Sequence, residues 1–326
     1  NVNIIVAFNN WELDKIINEN NFIDDEIKII LPYKSIIKTI AVGNEPLGSW
    51  YNGEFNNLLV PAIKKVSTTL KKIMPGKDIT VPFNFAIFDN TYPPSNSIIL
   101  PSIYNIVFDS ISTIKNHSNN PRLMINIYPY LTYIQNNKIN INFALGHNSL
   151  YYVRDNEYLY TSLFDLMYDA ALVAIRKVGF DLPIDIGEIG WPNDGGPSAD
   201  TQYECNALSQ LHVSSTIGTP RQSGPINIYY FEAIDEPWKE TGPGIFERHW
   251  GILNIDLQPK CPSFNIIYKN IHFKQNTINS LWLLSLIPLI LFLPCLIIKK
   301  NIKNKKTFYT KNKNNYKTIY NNALTI

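Results

Sequence analysis

The chain has 326 residues, 45% of them hydrophobic and 17% charged, with a formal net charge of +2. That much apolar side chain can fill a barrel domain of about 250 residues and excludes a globally disordered chain. Residues 299–326 carry eight Lys and no acid, which leaves the rest at −6 with no basic face, so nucleic acid is excluded as a partner.

In chain order, strand-like runs fall at 2–8, 39–44, 78–83, 122–128, 183–188 and 226–234. Most are continuously apolar, the pattern of parallel strands covered on both faces. Amphipathic stretches separate them. Leu58, Leu59, Ala62, Ile63, Val66, Leu70 and Ile73 make one stripe, which ends at Pro75-Gly76. The clearest helix spans 161–178, where Leu163, Leu166, Met167, Ala170, Ala171, Ala174 and Val178 share a face. Ser162 with Asp165 predicts a capping box at its start, and Gly179 after Arg176-Lys177 predicts its stop. Residues 198–225 read as a further helix and a Pro/Gly-rich loop.

Alternating strands and helices predict a parallel α/β fold. No GxGxxG or P-loop follows any strand, so the doubly wound nucleotide folds lose their signature. Six strands are two short of a closed barrel. The expectation is a (β/α)8 TIM barrel over residues 1–272 that lacks its first two β/α units. The start at Asn1, without initiator Met or signal peptide and directly on a strand, agrees with a missing N-terminus.

Cysteines at 205, 261 and 295 form no CxxC or His/Cys cluster, so neither a metal nor an organic cofactor is expected. Cys295 lies in an apolar run, leaving at most Cys205 and Cys261 as a pair, bonded or free. The sequon Asn116-His117-Ser118 permits a secretory route.

Residues 281–298 carry no charge and adjoin Lys299, Lys300 and Lys303. At ~1.5 Å per residue they are just long enough to cross a ~30 Å hydrocarbon core. Residues 273–298 therefore read as linker and transmembrane helix, with the 299–326 tail cytoplasmic and residues 1–272 on the outer or lumenal side. Two rivals stand. One is a GPI-anchor signal, whose apolar segment should end the chain. The other is translated non-coding sequence.

Two acids end strand-like runs beside glycines, in Ala41-Val42-Gly43-Asn44-Glu45-Pro46 and Ile186-Gly187-Glu188-Ile189-Gly190-Trp191-Pro192. At the C-terminal ends of barrel strands, side chains line the active face. Glycosidic cleavage uses such a pair, one carboxyl to protonate the leaving oxygen and one to attack the anomeric carbon, about 5–5.5 Å apart for retention. Either Glu alone is more readily a surface carboxylate. The pair in these contexts is far more specific.

Over residues 1 to about 262 the sequence resembles glycoside hydrolase family 17, the plant-type glucan endo-1,3-β-glucosidases. The family's V-G-N-E appears as Val42–Glu45 and its E-x-G-W-P as Glu188–Pro192, with Asn193-Asp194-Gly195 following. Its N-I-Y-P-Y strand appears as Asn126–Tyr130. Its late motif appears as Phe231, Asp235-Glu236, Lys239, Glu247-Arg248 and Trp250-Gly251.

The resemblance implies Glu45 as acid/base and Glu188 as nucleophile in retaining hydrolysis of β-1,3-glucan. Asn44 is then placed to bond the sugar 2-hydroxyl, Tyr128 to donate to the nucleophile or to substrate, and Trp191 to stack on a sugar or pack beneath the site. Glu236, Lys239 and Glu247 match a supporting ionic network, which as bare sequence reads equally as a solvated charge cluster. The family's first strand, with its Tyr-Gly near the cleft, has no counterpart here. The alternatives are a β-1,3-glucan transglycosylase, a membrane-held glucan-binding protein without catalysis, and an interaction module unrelated to carbohydrate.

Overall fold

The computed structural model describes residues 3–147 and 150–261. Its frame is a run of parallel strands: β1 (Ile4–Phe8), β2 (Ile37–Val42), β3 (Asp78–Thr80), β4 (Pro82–Asn84), β5 (Leu123–Asn126), β6 (Ile184–Ile189) and β7 (Ile228–Tyr230). β1 pairs with β2 and β2 with β3, while β4 pairs with β5, β5 with β6 and β6 with β7. Only Val81 separates β3 from β4, so the two continue one line and hand the sheet from β2 to β5. Each of the six expected strand runs is present at a similar place, and neighbours in space are neighbours in sequence. Parallel neighbours require a crossover on every step, and helices supply it.

The helices are α1 (Leu13–Asn18), α2 (Phe22–Ile30), α3 (Leu59–Ile73), α4 (Tyr104–His117), α5 (Pro129–Gln135), α6 (Ile141–Leu145), α7 (Leu163–Lys177) and α8 (Thr201–Ile217). This is a (β/α)8 TIM-barrel-like fold. The stripe on α3 buries Leu59, Ala62, Ile63, Val66 and Leu70. Each fully buried Leu or Ile contributes about 2 kcal/mol relative to exposure. α7 is the most deeply enclosed helix, and its Ser162 hydroxyl caps the Asp165 N–H at 3.0 Å. The Asp165 carboxylate accepts instead from Ser214 on α8 at 2.7 Å. The 198–225 region resolves into α8 and a short hairpin of Gly218–Thr219 with Gln222–Ser223. Cys205 on α8 is disulfide-bonded to Cys261.

Among the described residues no helix is long and apolar enough to cross a membrane. The apolar run at 281–298, with the expected linker and Lys-rich tail, lies outside the described residues.

Candidate active site

The C-terminal ends of the strands bring polar side chains to one face: Asn10 just after β1, Asn44 and Glu45 after β2, Asn84 ending β4, Asn126 ending β5, Glu188 in β6 and Glu232 after β7. The first turn is built on backbone that a side chain would resist. Gly43 has φ +77°, and a Cβ there would stand 2.7 Å from Asn10 Oδ1. That approach exists because Asn10 pairs reciprocally with the Asn44 backbone, accepting from its N–H at 2.9 Å and donating to its carbonyl at 2.7 Å. Glu45 follows with φ +51°, a left-handed conformation that costs a non-glycine residue about 1–2 kcal/mol. The Glu45 N–H donates to the Pro82 carbonyl at 2.8 Å, which ties the turn to the next strand.

Two buried amides hold the Glu45 carboxyl. Asn84 Nδ2 donates to Oε1 at 2.8 Å and Asn126 Nδ2 to the same oxygen at 3.0 Å. Asn126 also reaches Asn44 Oδ1 at 3.4 Å, so Asn44 sits at the rim beside the carboxyl. Burial first and the negative charge of Glu188 second push the Glu45 pKa up to about 7, against the two Asn donors that draw it down. A carboxyl in that range carries a proton to give at neutral pH.

Glu188 stands across Asn126, its register partner in the β5–β6 ladder. The ladder slips between Ile186 and Glu188, a bulge that re-aims the Glu188 side chain. Gly187 makes the slip possible, since a Cβ there would meet Asn126 Oδ1 at 2.5 Å and Met124 Cγ at 2.6 Å. The buried Tyr128 hydroxyl donates to Glu188 Oε2 at 2.7 Å. Burial and the Glu188 charge hold that phenol well above its ordinary range, so it stays a donor. Of the two roles expected for Tyr128, this is the one the geometry presents.

Behind Glu188 the late motif closes into one cluster. Lys239 Nζ lies 3.8 Å from Glu232, 3.7 Å from Glu236 and 3.6 Å from Glu247, and 4.2 Å from the Phe231 ring centroid. Burial raises the Glu247 carboxyl, Lys239 opposes the rise, and Glu188 adds to it. Burial likewise lifts Glu232 to about 8 against the pull of Lys239. Glu236, Lys239 and Glu247 therefore sit together as expected. Glu232 joins them unforeseen, because only its proximity to Phe231 marked it in sequence.

Of the two readings of Trp191, stacking on substrate is corrected. The residue is 2% exposed, packs edge-on against Tyr130 at 5.1 Å, and its indole N–H donates to the Ser198 carbonyl at 2.9 Å. With no ring face open it is a packing residue and does not stack on a sugar. Asn84 and Asn126 were missed as carboxylate holders. A signal existed: Asn44 ends the run 39–44, Asn84 directly follows 78–83 and Asn126 interrupts the apolar run 122–128 near its end.

A pair of carboxyls at the C-terminal mouth of parallel strands is the arrangement that barrel glycosidases use. Among these, the chain belongs to the glycosyl hydrolases family 17, whose sequence profile matches residues 1–262. It is 35% identical over 236 residues to glucan endo-1,3-beta-glucosidase 8 of Arabidopsis thaliana, covering 69% of this chain and 48% of that relative. It is 34% identical over 240 residues to a glucan endo-1,3-beta-glucosidase of Vitis vinifera, covering 71% of this chain and 68% of that one. Among solved structures, a beta-1,3-glucanase and allergen of Cryptomeria japonica pollen aligns with a TM-score of 0.74 at 31% identity, over 80% of this chain and 82% of that chain. A plant beta-glucan endohydrolase aligns at 0.72 and 29% identity, over 80% and 83%. The chain spans about half the length of the first curated relatives it matches.

Proposed function

We propose that this protein hydrolyses internal β-1,3-glucosidic bonds of a β-1,3-glucan with retention, using Glu45 as acid/base and Glu188 as nucleophile. One observation carries the reading: two carboxyls stand near enough to repel, and burial with that repulsion keeps Glu45 protonated to about pH 7 while Asn126 holds Glu45 and Tyr128 donates to Glu188. In the first step a Glu188 oxygen bonds to the anomeric carbon as the glycosidic bond breaks, and the Glu45 proton goes to the departing oxygen. In the second, water attacks the anomeric carbon, Glu45 takes its proton, and the ester to Glu188 is released. Asn44, at the rim beside Glu45, donates to the sugar 2-hydroxyl. The Lys239 cluster sets the charge around Glu188 and Glu45. The names of the relatives and the pairing of both carboxyls favour hydrolysis over a glucan-binding protein without catalysis.

The six strands correspond, in this reading, to the third to eighth of an eight-stranded barrel over residues 1–272. Residues 281–298 hold the protein in a membrane with the 299–326 tail cytoplasmic. That part rests on the hydrophobic run and its basic flank alone, and protease treatment of intact cells tests it: residues 1–272 should be digested and the tail spared.

The activity is tested with Glu45→Gln and Glu188→Gln, each of which should fold and release no reducing sugar from laminarin. Azide added to Glu188→Gly should yield the α-glycosyl azide. Near-parental rates in either Gln variant, or no azide adduct, overturn the assignment.

A further inference from the structure

A second buried polar cluster lies behind the carboxylate loops, and the proposed chemistry does not use it. The Lys260 side chain is 6% exposed and points its ammonium at three separate segments. It donates to Asn193 Oδ1 at 2.5 Å, to Asp235 Oδ1 at 2.7 Å and to the His249 carbonyl at 3.4 Å. An ammonium has three N–H donors, so these contacts occupy it fully. Asn193 belongs to the loop that leaves Glu188, and Asp235 to the loop that leaves Glu232. His249 precedes Trp250, whose ring meets Tyr128 edge-on at 5.2 Å. The same segments touch once more through the backbone. The Asn193 N–H donates to the His249 carbonyl at 3.1 Å and the Gly251 N–H to Asp235 Oδ1 at 3.0 Å.

Lys260 is itself fastened. Cys261 beside it is fully buried and bonded to Cys205 on α8. Glu204, the neighbour of Cys205, has a carboxyl oxygen 3.9 Å from Lys260 Nζ. Two consecutive residues of the helix thus meet two consecutive residues of the 250–261 segment. Glu204 is 1% exposed, and among the described residues neither of its carboxyl oxygens has a hydrogen-bond partner. Burial lifts its carboxyl to about 8 while Lys260 draws it down, so near neutral pH it is mostly protonated and adds little charge. The hydrogen bonds to Asn193 and Asp235, not the longer contact to Glu204, therefore define what Lys260 does.

We propose that Lys260 is a positioning residue that braces the loop behind Glu188 against the loop behind Glu232, keeping Tyr128, Glu188 and the Lys239 cluster in register. It touches no reacting atom. Its effect passes through Asn193 to the Glu188 loop, and through Asp235 and Trp250 to the opposite wall. The inference rests on the reading of Glu45 and Glu188 as the reacting pair, but its loop-bracing half can be read without activity.

The test compares Lys260→Met, Asn193→Ala and Glu204→Gln with the parent by laminarin kinetics and by amide hydrogen exchange. A misplacement of about 1 Å can cost about 100-fold in rate. Lys260→Met should lose kcat on that scale with KM within about threefold, because ground-state sugar contacts are intact. Asn193→Ala should lose about tenfold by removing one of the three bonds. In both, amides at 191–200 and 231–250 should exchange at least about tenfold faster, the signature of local opening. Glu204→Gln, in the same cluster and equally buried, should keep parental kcat and exchange. A merely structural role predicts the opposite pattern: lowered thermal stability in all three variants with kcat unchanged below the melting range. Should Lys260→Met not fold, Asn193→Ala decides alone. Parental kcat and exchange in the folded variants overturn the proposal. If the parent itself releases no reducing sugar, the hydrolase reading fails, while the exchange comparison still supports or overturns the brace.

Discussion

Replacing Glu45 by Gln should strengthen the fold while it removes activity, and the strengthening should depend on pH in a set direction. Glu45 has a folded pKa of about 7 against an ordinary 4.5. Its ionised form is therefore disfavoured on folding, by burial first and by Glu188 second. Between those two values the folded state binds more protons than the unfolded state, so rising pH costs stability throughout that window. The full difference corresponds to roughly 3 kcal/mol. Solvent reaching the cleft and local relaxation reduce it, leaving about 1–3 kcal/mol above pH 7. Gln retains an oxygen for the Asn84 and Asn126 donors, and its amide can donate toward Glu188, so the substitution removes the charge with little loss of contacts. At about 2–4 °C per kcal/mol for a domain of this size, the variant should melt ~3–10 °C higher at pH 7.5. Differential scanning fluorimetry from pH 4 to 8 checks it. The two melting curves should converge near pH 4.5 and separate as pH climbs toward 7. A gap that is constant with pH, or a less stable variant at pH 7.5, refutes the electrostatic account of Glu45.

Three further outcomes follow from the same contacts. Asn126→Ala removes a donor that favours ionised Glu45, so the alkaline limb of kcat/KM should move upward by about one pH unit while the maximum rate falls; an unmoved limb would mean that Asn126 does not hold the acid. Tyr128→Phe deletes the hydroxyl on Glu188, a charge-assisted bond worth about 1.5–3 kcal/mol, and should lower kcat about 10- to 100-fold with KM nearly unchanged in steady-state laminarin kinetics. Lys239→Met leaves Glu232, Glu236 and Glu247 without the cation they share, so the Glu232 and Glu247 pKa values should rise further. Carbon-13 NMR titration of the Glu carboxyls would register that rise, and an unchanged or lowered pair would refute it.

The sequence exposed the strands and the carboxyl pair for different reasons. Strand runs such as 122–128 and 183–188 are legible because both faces of a parallel strand are buried, which leaves a continuous apolar signature. Glu45 and Glu188 stood out because an acid ending such a run, beside glycines, contradicts the pattern around it. Glu232 lies inside the strand-like run 226–234 with no glycine beside it, and its place at the site depends on the backbone pairing of Glu232 with Trp250 and Ile252. Trp191 was left between two readings because nothing in one chain position tells whether an indole faces a cleft or, as here, the Tyr130 ring and the Ser198 carbonyl. The amides of Asn84 and Asn126 were overlooked because a strand-ending Asn is ordinary in isolation. Their role appears only when β4 and β5 are set side by side.

Two departures from local backbone preference lie at the same mouth. Gly43 and Glu45 both take positive φ, and the bulge at Gly187 breaks the ladder that pairs Glu188 with Asn126. Neither feature aids folding. Left-handed backbone costs energy, and an extra residue forfeits ladder bonds. Both, however, accompany a held carboxyl: Glu45 accepts from Asn126 and Glu188 from Tyr128. The raised Glu45 pKa is a third cost of the same kind, since a carboxyl at that depth is more stable neutral or replaced. Sequence rules of thumb fail here because the local optimum and the working geometry differ, and the well-packed strands and α3 and α7 supply the stability that lets the difference persist.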